Sequence, residues 1–248
     1  MDARIDKASI MIEIQQLLRD NDSFAAIEHI QAHGSLIEIA ARYATLVADF
    51  YWKAHDLPAV VTIGRAGIYF CLGHSQTAGL SVETVGKFRS AAKGLAYNVG
   101  SFTWPGWDEP GIHLDSHQIA FGAECAALNL RLAIELQKPM SRVSSAHWLV
   151  GAHALAANDL DKAEREFELA QKILPETDVP EKSLQQLNMG YLAIARLCRN
   201  PSDADLAANF ADIISRINSQ SDEDAKEHVA QLLTARRVFL QSRGVPPR

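Results

Sequence analysis

The chain has 248 residues, of which 48% are hydrophobic and 22% are charged. These proportions are those of an ordinary globular protein, so the composition excludes disorder of the whole chain. There are 24 Lys and Arg against 30 Asp and Glu, which gives a formal net charge of −6. This balance argues against a nucleic-acid partner, because a broad nucleic-acid-binding surface needs an excess of positive charge.

The cysteines and the apolar segments indicate the compartment. Cys71, Cys125 and Cys198 stand far apart, which predicts neither a disulfide framework nor a CxxC metal pair but three inert, buried thiols. The N-terminal residues carry charge of both signs, unlike a signal peptide. The most apolar long run, 37–70, is interrupted by charged residues, whereas a membrane helix needs roughly 20 apolar residues. We therefore expect a cytoplasmic protein without a membrane partner.

Helical periodicity runs along the whole chain, and strand patterns are nearly absent. The stretch most like a strand, 60–63, lies inside a longer helical pattern. Helix breaks are predicted, in chain order, at 20–22, 33–34, 55–58, 72–74, 138–139, 158–159, 174–175 and 200–201. They separate helices of roughly 12–20 residues by short turns, which is the pattern of repeated αα-hairpins.

Polar pairs three residues apart predict several helix N-termini. Ser35 and Glu38 have the residues of a capping box, in which each side chain bonds the backbone N–H of the other residue. The same spacing recurs in Asp115 with Gln118, Ser202 with Asp205, and Ser221 with Asp224, and Pro180 suits a first helical turn.

One hairpin, over 144–175, has the clearest internal pattern. It reads SSAHWLVGAHALAANDLDKAEREFELAQKILP. Gly151 lies in its first helix, and Ala163, Phe167 and Ala170 lie in its second. Two antiparallel helices can approach closely where their facing residues have small side chains. Phe167 would fill the space next to these small residues.

With Pro175 closing it, this hairpin resembles the tetratricopeptide (TPR) repeat. It departs from the family in two places: the early Trp falls one residue late, at Trp148, and the Tyr position holds Ala154. Weaker copies of the pattern are Ala25, His29 and Ala32; Ala59, Ile63 and Ala66; Gly94 and Tyr97; Ala126, Leu130 and Ala133; and Ala207, Ala211 and Ile214. The resemblance covers roughly residues 8–218.

The resemblance implies an all-α fold, an irregular TPR-like αα-hairpin solenoid of about five hairpins. A C-terminal helix at about 223–242 is expected to cap the array. Because no Gly-, Ser- or Pro-rich linker divides the chain, we predict a single domain over 1–248, with a frayed tail at about 243–248.

A long aromatic loop at about 101–114 breaks the pattern, because a TPR hairpin turn has only a few residues. It carries Phe102, Trp104 and Trp107, which are costly to leave in water. Two interpretations are open. The loop could present Trp104 and Trp107 to a partner as a lid or hot spot, or it could fold back and plug the concave face of the array.

TPR arrays often bind peptides in a concave groove that their first helices line, which implies candidate partner-binding residues. In the hairpin at 144–175 these positions are Ser145, Trp148, Ala152, Leu155 and Ala156, and in the second hairpin they are Ala41, Ala44, Ala48, Tyr51 and Trp52. The Lys, Asn and Arg that clamp a C-terminal carboxylate in part of the family are absent there. The groove is therefore expected to suit an amphipathic helix, an internal loop or a small hydrophobic ligand, or simply to be buried by the array itself.

His113 and His117, with Asp115 between them and Glu124 further on, are weak candidates for a metal site. Asp115 is, however, the best N-cap of the following helix, so we expect no metal and no cofactor. The sequence has no nucleophile elbow and no phosphate-binding glycine loop, which favours a non-enzyme.

Three hypotheses follow. The first is a non-enzymatic interaction module, a scaffold or adaptor, whose protein partner contacts Tyr51, Trp52, Trp104, Trp107, Trp148 and Leu155. The second is a helical ligand-sensing protein or enzyme that uses the same concavity as a small-molecule or metal pocket. The third is a homodimer formed through the apolar surface.

Overall fold

The computed structural model describes residues 7–174, 179–220 and 224–241. These residues form eleven α-helices and one short 3-10 helix, without a strand among them. The α-helices are α1 Lys7–Arg19, α2 Ser23–Gln31, α3 Leu36–Trp52, α4 Leu57–His74, α5 Val82–Phe102, α6 Ser116–Glu135, α7 Met140–Ala156, α8 Leu160–Lys172, α9 Val179–Arg199, α10 Ala204–Asn218 and α11 Ala225–Gln241, and the 3-10 helix is Pro105–Trp107. The all-α prediction is confirmed.

The chain forms two compact units. Unit 1 comprises residues 1–103 and 111–132, and unit 2 comprises 104–110 and 133–248. Within each unit, neighbouring helices pack against one another in chain order, as in an αα-hairpin solenoid. The single domain predicted over 1–248 stays a prediction, and the predicted frayed tail lies outside the described residues.

The core of unit 1 is built where α4 comes very close to its neighbours. Gly64 and Gly67 face α3 and α5: a Cβ on Gly64 would collide with the side chain of Val99, and one on Gly67 would lie 2.8 Å from Cβ of Tyr43. The first part of α6 joins the same unit, because Asn129 Nδ2 donates to the carbonyl of Lys93 on α5 at 2.9 Å. Small residues therefore set the helix spacing in unit 1, as close-packed interiors require.

In unit 2, helices α7 and α8 form the hairpin that the sequence predicts over 144–175. Ala163, Phe167 and Ala170 are all completely buried. A Cβ on Gly151 would lie 2.9 Å from the ring of Phe167, so the absence of a side chain there sets the distance between the two helices.

Most of the predicted helix starts agree with the structure. The capping box of Ser35 and Glu38 is complete. Asp115 and Gln118 exchange two bonds, from Asp115 N to Gln118 Oε1 at 2.9 Å and from Gln118 N to Asp115 Oδ1 at 2.8 Å. Pro180 stands in the first turn of α9, and Ser221 lies outside the described residues.

Two expectations for α10 are wrong. Its N-cap is Asp203 rather than Ser202, because the Asp203 carboxylate accepts from the amides of the next turn. The weak repeat copy at Ala207, Ala211 and Ile214 is also out of register, since α10 turns a different face to the core. The buried residues of that face are Phe210, Ile213 and Ile217.

The predicted C-terminal helix is present as α11, and it buries Leu232, Ala235 and Phe239 in unit 2. Leu232 packs against Gly190 of α9, where an added Cβ would lie 2.6 Å or less from its methyl groups. A small residue again permits the close approach of two helices.

The contact between Gly151 and Phe167 yields a stability prediction. Gly151→Ala should destabilise unit 2 by about 1–3 kcal/mol, because the new methyl group overpacks a fully buried ring. The matched variant Gly94→Ala, in the interior of α5, adds a methyl group with nothing within 4 Å. It should stabilise the protein by about 0.5–1 kcal/mol through the chain entropy of glycine alone. The free energy of unfolding of both variants is measured by urea denaturation. Equal changes in the two variants would show that α7 and α8 have room for a methyl group at residue 151.

Candidate functional site

The aromatic loop begins with a buried tryptophan. α5 ends at Phe102, and Trp104 precedes the 3-10 helix Pro105–Trp107. Only 1% of the Trp104 side-chain surface is exposed, and its indole Nε1 donates to the carbonyl of Ala152 on α7 at 2.9 Å. The loop is therefore bonded to the first helix of the hairpin at 144–175.

Four rings surround the indole of Trp104 in unit 2. Its centroid lies 4.8 Å from that of Trp107, 5.5 Å from Trp148, 5.7 Å from Tyr191 and 5.8 Å from Phe239. These distances are those of favourable aromatic pairs, and the first three are near edge-to-face. We refer to these five residues as the aromatic cluster.

Two further contacts hold the loop in place. Gly106 packs under the ring of Trp104, and a Cβ there would overlap the indole. Asp108 takes a left-handed conformation with φ 48° and accepts from Arg237 Nη2 of α11 at 2.6 Å. Because both side chains of this ion pair are about half exposed, it contributes at most about 1 kcal/mol.

The partner-binding residues predicted in unit 2 are mainly interior residues. Trp104 and Leu155 are each 1% exposed, Trp148 is 6% exposed, and Trp107 is half-buried. The surface of α7 assigned to a groove is thus covered by the chain's own loop, which corresponds to the second of the two interpretations of that loop. A contact of these residues with a partner stays a prediction.

The predicted residues of unit 1 have a different environment. Tyr51 is buried and stacks on Phe102, with centroids 3.9 Å apart and planes 7° apart. Trp52 is 62% exposed, and its ring meets Tyr51 and Phe102 edge-on at 4.8 and 5.8 Å. We refer to Trp52 with these two supporting rings as the Trp52 surface.

Three alanines lie on the face of α3 that ends at the Trp52 surface. Ala41 is exposed, and Ala44 and Ala48 are half-buried. Their spacing of three and four residues places them on one helix face. At the end of that face, Lys53 Nζ pairs with Asp49 Oδ1 at 2.9 Å.

Among the residues that the structure describes, the predicted metal candidates form no site with other ligand-type side chains. His113 and His117 are both exposed, and Asp115 is engaged as the cap of α6. Across the part of the chain that the structure describes, no group of three or more His, Cys, Asp or Glu is placed to hold a metal ion.

A cavity of about 380 Å³ opens on unit 1 between the α1–α2 turn and the start of α4. Its polar lining residues are Arg19, Asn21, Ser23, Asp56 and Thr62. Its apolar lining residues are Leu18, Pro58 and Ala59. This volume lies within the range of small-molecule sites, at the lower end.

All three cysteines are buried and none forms a disulfide, as the sequence predicts. Burial raises the pKa of Cys71 to about 11 and that of Cys125 to about 12. Neither thiol forms a thiolate near neutral pH, and the thiolate is the form that acts as a nucleophile.

Neither sequence comparison identifies relatives: no protein-family model matches the chain, and no curated protein matches its sequence. Within the described residues, none of the helices combines the length and the apolar character needed to cross a membrane.

Sequence reasoning missed several residues of these sites. Tyr191 and Phe239 complete the aromatic cluster, and the contact of Phe102 with Trp52 was not predicted although Phe102 itself was noted. Tyr191 and Phe239 are far from Trp104 in sequence, so no local spacing could reveal the contact. The cavity of unit 1 is lined by two turns that lie more than thirty residues apart in the sequence. No local sequence motif could therefore predict it.

Trp104→Phe should cost about 1–3 kcal/mol of stability, because it removes a buried hydrogen bond and leaves part of the indole volume unfilled. Trp52→Phe is the matched control, since its ring is mostly exposed, and it should change stability by less than about 0.5 kcal/mol. Chemical denaturation followed by circular dichroism measures both. Similar losses in the two variants would place Trp104 outside the core.

The raised pKa values predict that the native protein resists thiol reagents at pH 8. Because a raised pKa keeps the neutral thiol dominant until the pH approaches 11, Cys71 and Cys125 should react with Ellman's reagent only after unfolding. In denaturant all three cysteines should react. Rapid labelling of two or more thiols in the folded protein would contradict this burial.

Proposed function

We propose that the chain is a non-enzymatic protein-interaction module, a scaffold or adaptor of TPR-like αα-hairpins, and that it binds a protein segment at the Trp52 surface. In the TPR-like assignment α3 is a first helix, and first helices line the binding groove of such arrays. The proposal includes a cytoplasmic location, which the reduced, buried cysteines support.

The observation that carries this proposal is the exposure of an oriented indole. Trp52 leaves 62% of its surface in water, although its ring contacts the stacked pair of Tyr51 and Phe102. A tryptophan held in this way loses little conformational entropy when a partner covers it. Tryptophan is also the residue type most enriched among interface hot spots.

The chemistry around Trp52 indicates an apolar partner segment. The adjoining face of α3 consists of Ala41, Ala44 and Ala48, which leave room for a closely packed helix. The nearby charges of Asp49 and Lys53 are paired with each other. An amphipathic helix that places a large apolar side chain on the indole fits this surface best.

Comparative capture from the native cell extract tests the proposal. The intact protein, Trp52→Ala and Tyr69→Ala are used as baits, after circular dichroism has shown that all three are folded. Tyr69 is 70% exposed on α4 of the same unit and is therefore a matched loss of an exposed ring. We expect one protein to be retained by the intact chain and Tyr69→Ala, and reduced at least about tenfold with Trp52→Ala, the loss of one hot spot.

Two outcomes would contradict the proposal. The first is an identical set of proteins on all three baits, which would place recognition away from Trp52. The second is a homodimer: light scattering would show a mass that rises with concentration for the intact chain and not for Trp52→Ala, so that a second copy covers the indole.

A further inference from the structure

The cavity of unit 1 has walls that are fixed by helix ends. Asn21 turns the chain after α1 with φ 59°, and its N–H donates to the carbonyl of Leu18 at 3.1 Å. On the opposite side, Asp56 begins α4: its N–H donates to the carbonyl of Phe50 at 3.0 Å, and its Oδ1 accepts from Ala59 N at 3.1 Å. The backbone around the cavity is therefore held by hydrogen bonds before any ligand enters.

Arg19 and Asp56 line this cavity with opposite charges, and they do not form an ion pair with each other. Arg19 stands in the last turn of α1, where its charge also complements the helix dipole. Among the described residues, no carboxylate lies within ion-pair distance of Arg19, Asp56 included. Asp56 uses one carboxylate oxygen to cap α4, and the other has no partner within the described chain.

The remaining lining suits a small polar molecule with an apolar part. The hydroxyls of Ser23 and Thr62 and the amide of Asn21 offer neutral hydrogen bonds. Leu18, Pro58 and Ala59 offer an apolar contact area. The side-chain charges sum to zero, so a simple anion or a simple cation would meet repulsion as well as attraction.

We propose that this cavity binds a small zwitterion of the α-amino-acid class. Arg19 binds the carboxylate through its guanidinium, as arginine does at planar oxyanions, and Asp56 accepts from the ammonium group. The amino-acid side chain lies against the apolar residues. This site is separate from the Trp52 surface in its chemistry, and it does not depend on the proposed protein interaction.

Ligand-observed NMR with the full-length protein and each of the 20 standard L-α-amino acids tests this proposal. For the strongest binder, the N-acetylated form lacks the cation and the amide form lacks the anion. Both should bind at least roughly tenfold more weakly than the free amino acid, because each loses a charge-assisted hydrogen bond.

Variants locate the site. Arg19→Gln and Asp56→Asn should each weaken binding by roughly tenfold or more. Asparagine caps helices as well as aspartate, so Asp56→Asn removes the charge and keeps the start of α4. Arg142→Gln changes an exposed arginine on α7 in unit 2 and should leave the affinity unchanged.

Three results would overturn the proposal. The first is that every amino acid binds with a Kd weaker than about 10 mM. The second is that the N-acetyl or the amide form binds as tightly as the free amino acid, and the third is that Arg19→Gln leaves the affinity unchanged. The same holds if glucose, a neutral polyol, competes as well as the best amino acid, because recognition would then rest on the hydroxyls alone.

Discussion

Unit 2 depends on one buried contact, the hydrogen bond from the indole of Trp104 to the carbonyl of Ala152. A buried indole N–H needs an acceptor, and this one reaches across to α7 from a loop outside the helical hairpins. The rings of Trp148, Tyr191 and Phe239 come from three different helices and meet around it. The loop is thus a core element. Gly106, which packs under the indole, and the ion pair of Asp108 with Arg237 hold the loop in position.

The tryptophans consequently divide into two roles. Trp104 and Trp148 are interior residues of unit 2, whereas Trp52 offers most of its ring to solvent from unit 1. The difference arises from the supporting rings. The indole of Trp104 is surrounded by aromatic residues, whereas that of Trp52 contacts Tyr51 and Phe102 and is otherwise mostly exposed. A supported but uncovered indole is the physical basis of the proposal that a partner binds at Trp52.

Local features could be predicted from the sequence, and long-range contacts could not. The capping box of Ser35 and Glu38 involves residues three apart, so its geometry follows from helix formation alone. Ser202 and Asp203 are both good caps, and the backbone of the folded chain selects Asp203. The hairpin at 144–175 could be recognised from residue size alone. Gly151 and Ala163 must be small for the two helices to pack closely, and Phe167 must be large to fill the space beside them. The burial of Trp104 depends on residues of α9 and α11, and no spacing in the sequence encodes that meeting.

Hydrogen exchange of the indole N–H groups distinguishes a buried, bonded Trp104 from an exposed Trp52. A protein labelled with ¹⁵N-tryptophan gives a separate signal for each indole, and single Trp→Phe variants assign them. We expect the Nε1 proton of Trp104 to exchange slowly, because it is bonded to the carbonyl of Ala152, and the proton of Trp52 to exchange fastest of all. Exchange of Trp104 as fast as that of Trp52 would contradict the division between a buried loop tryptophan and an exposed one.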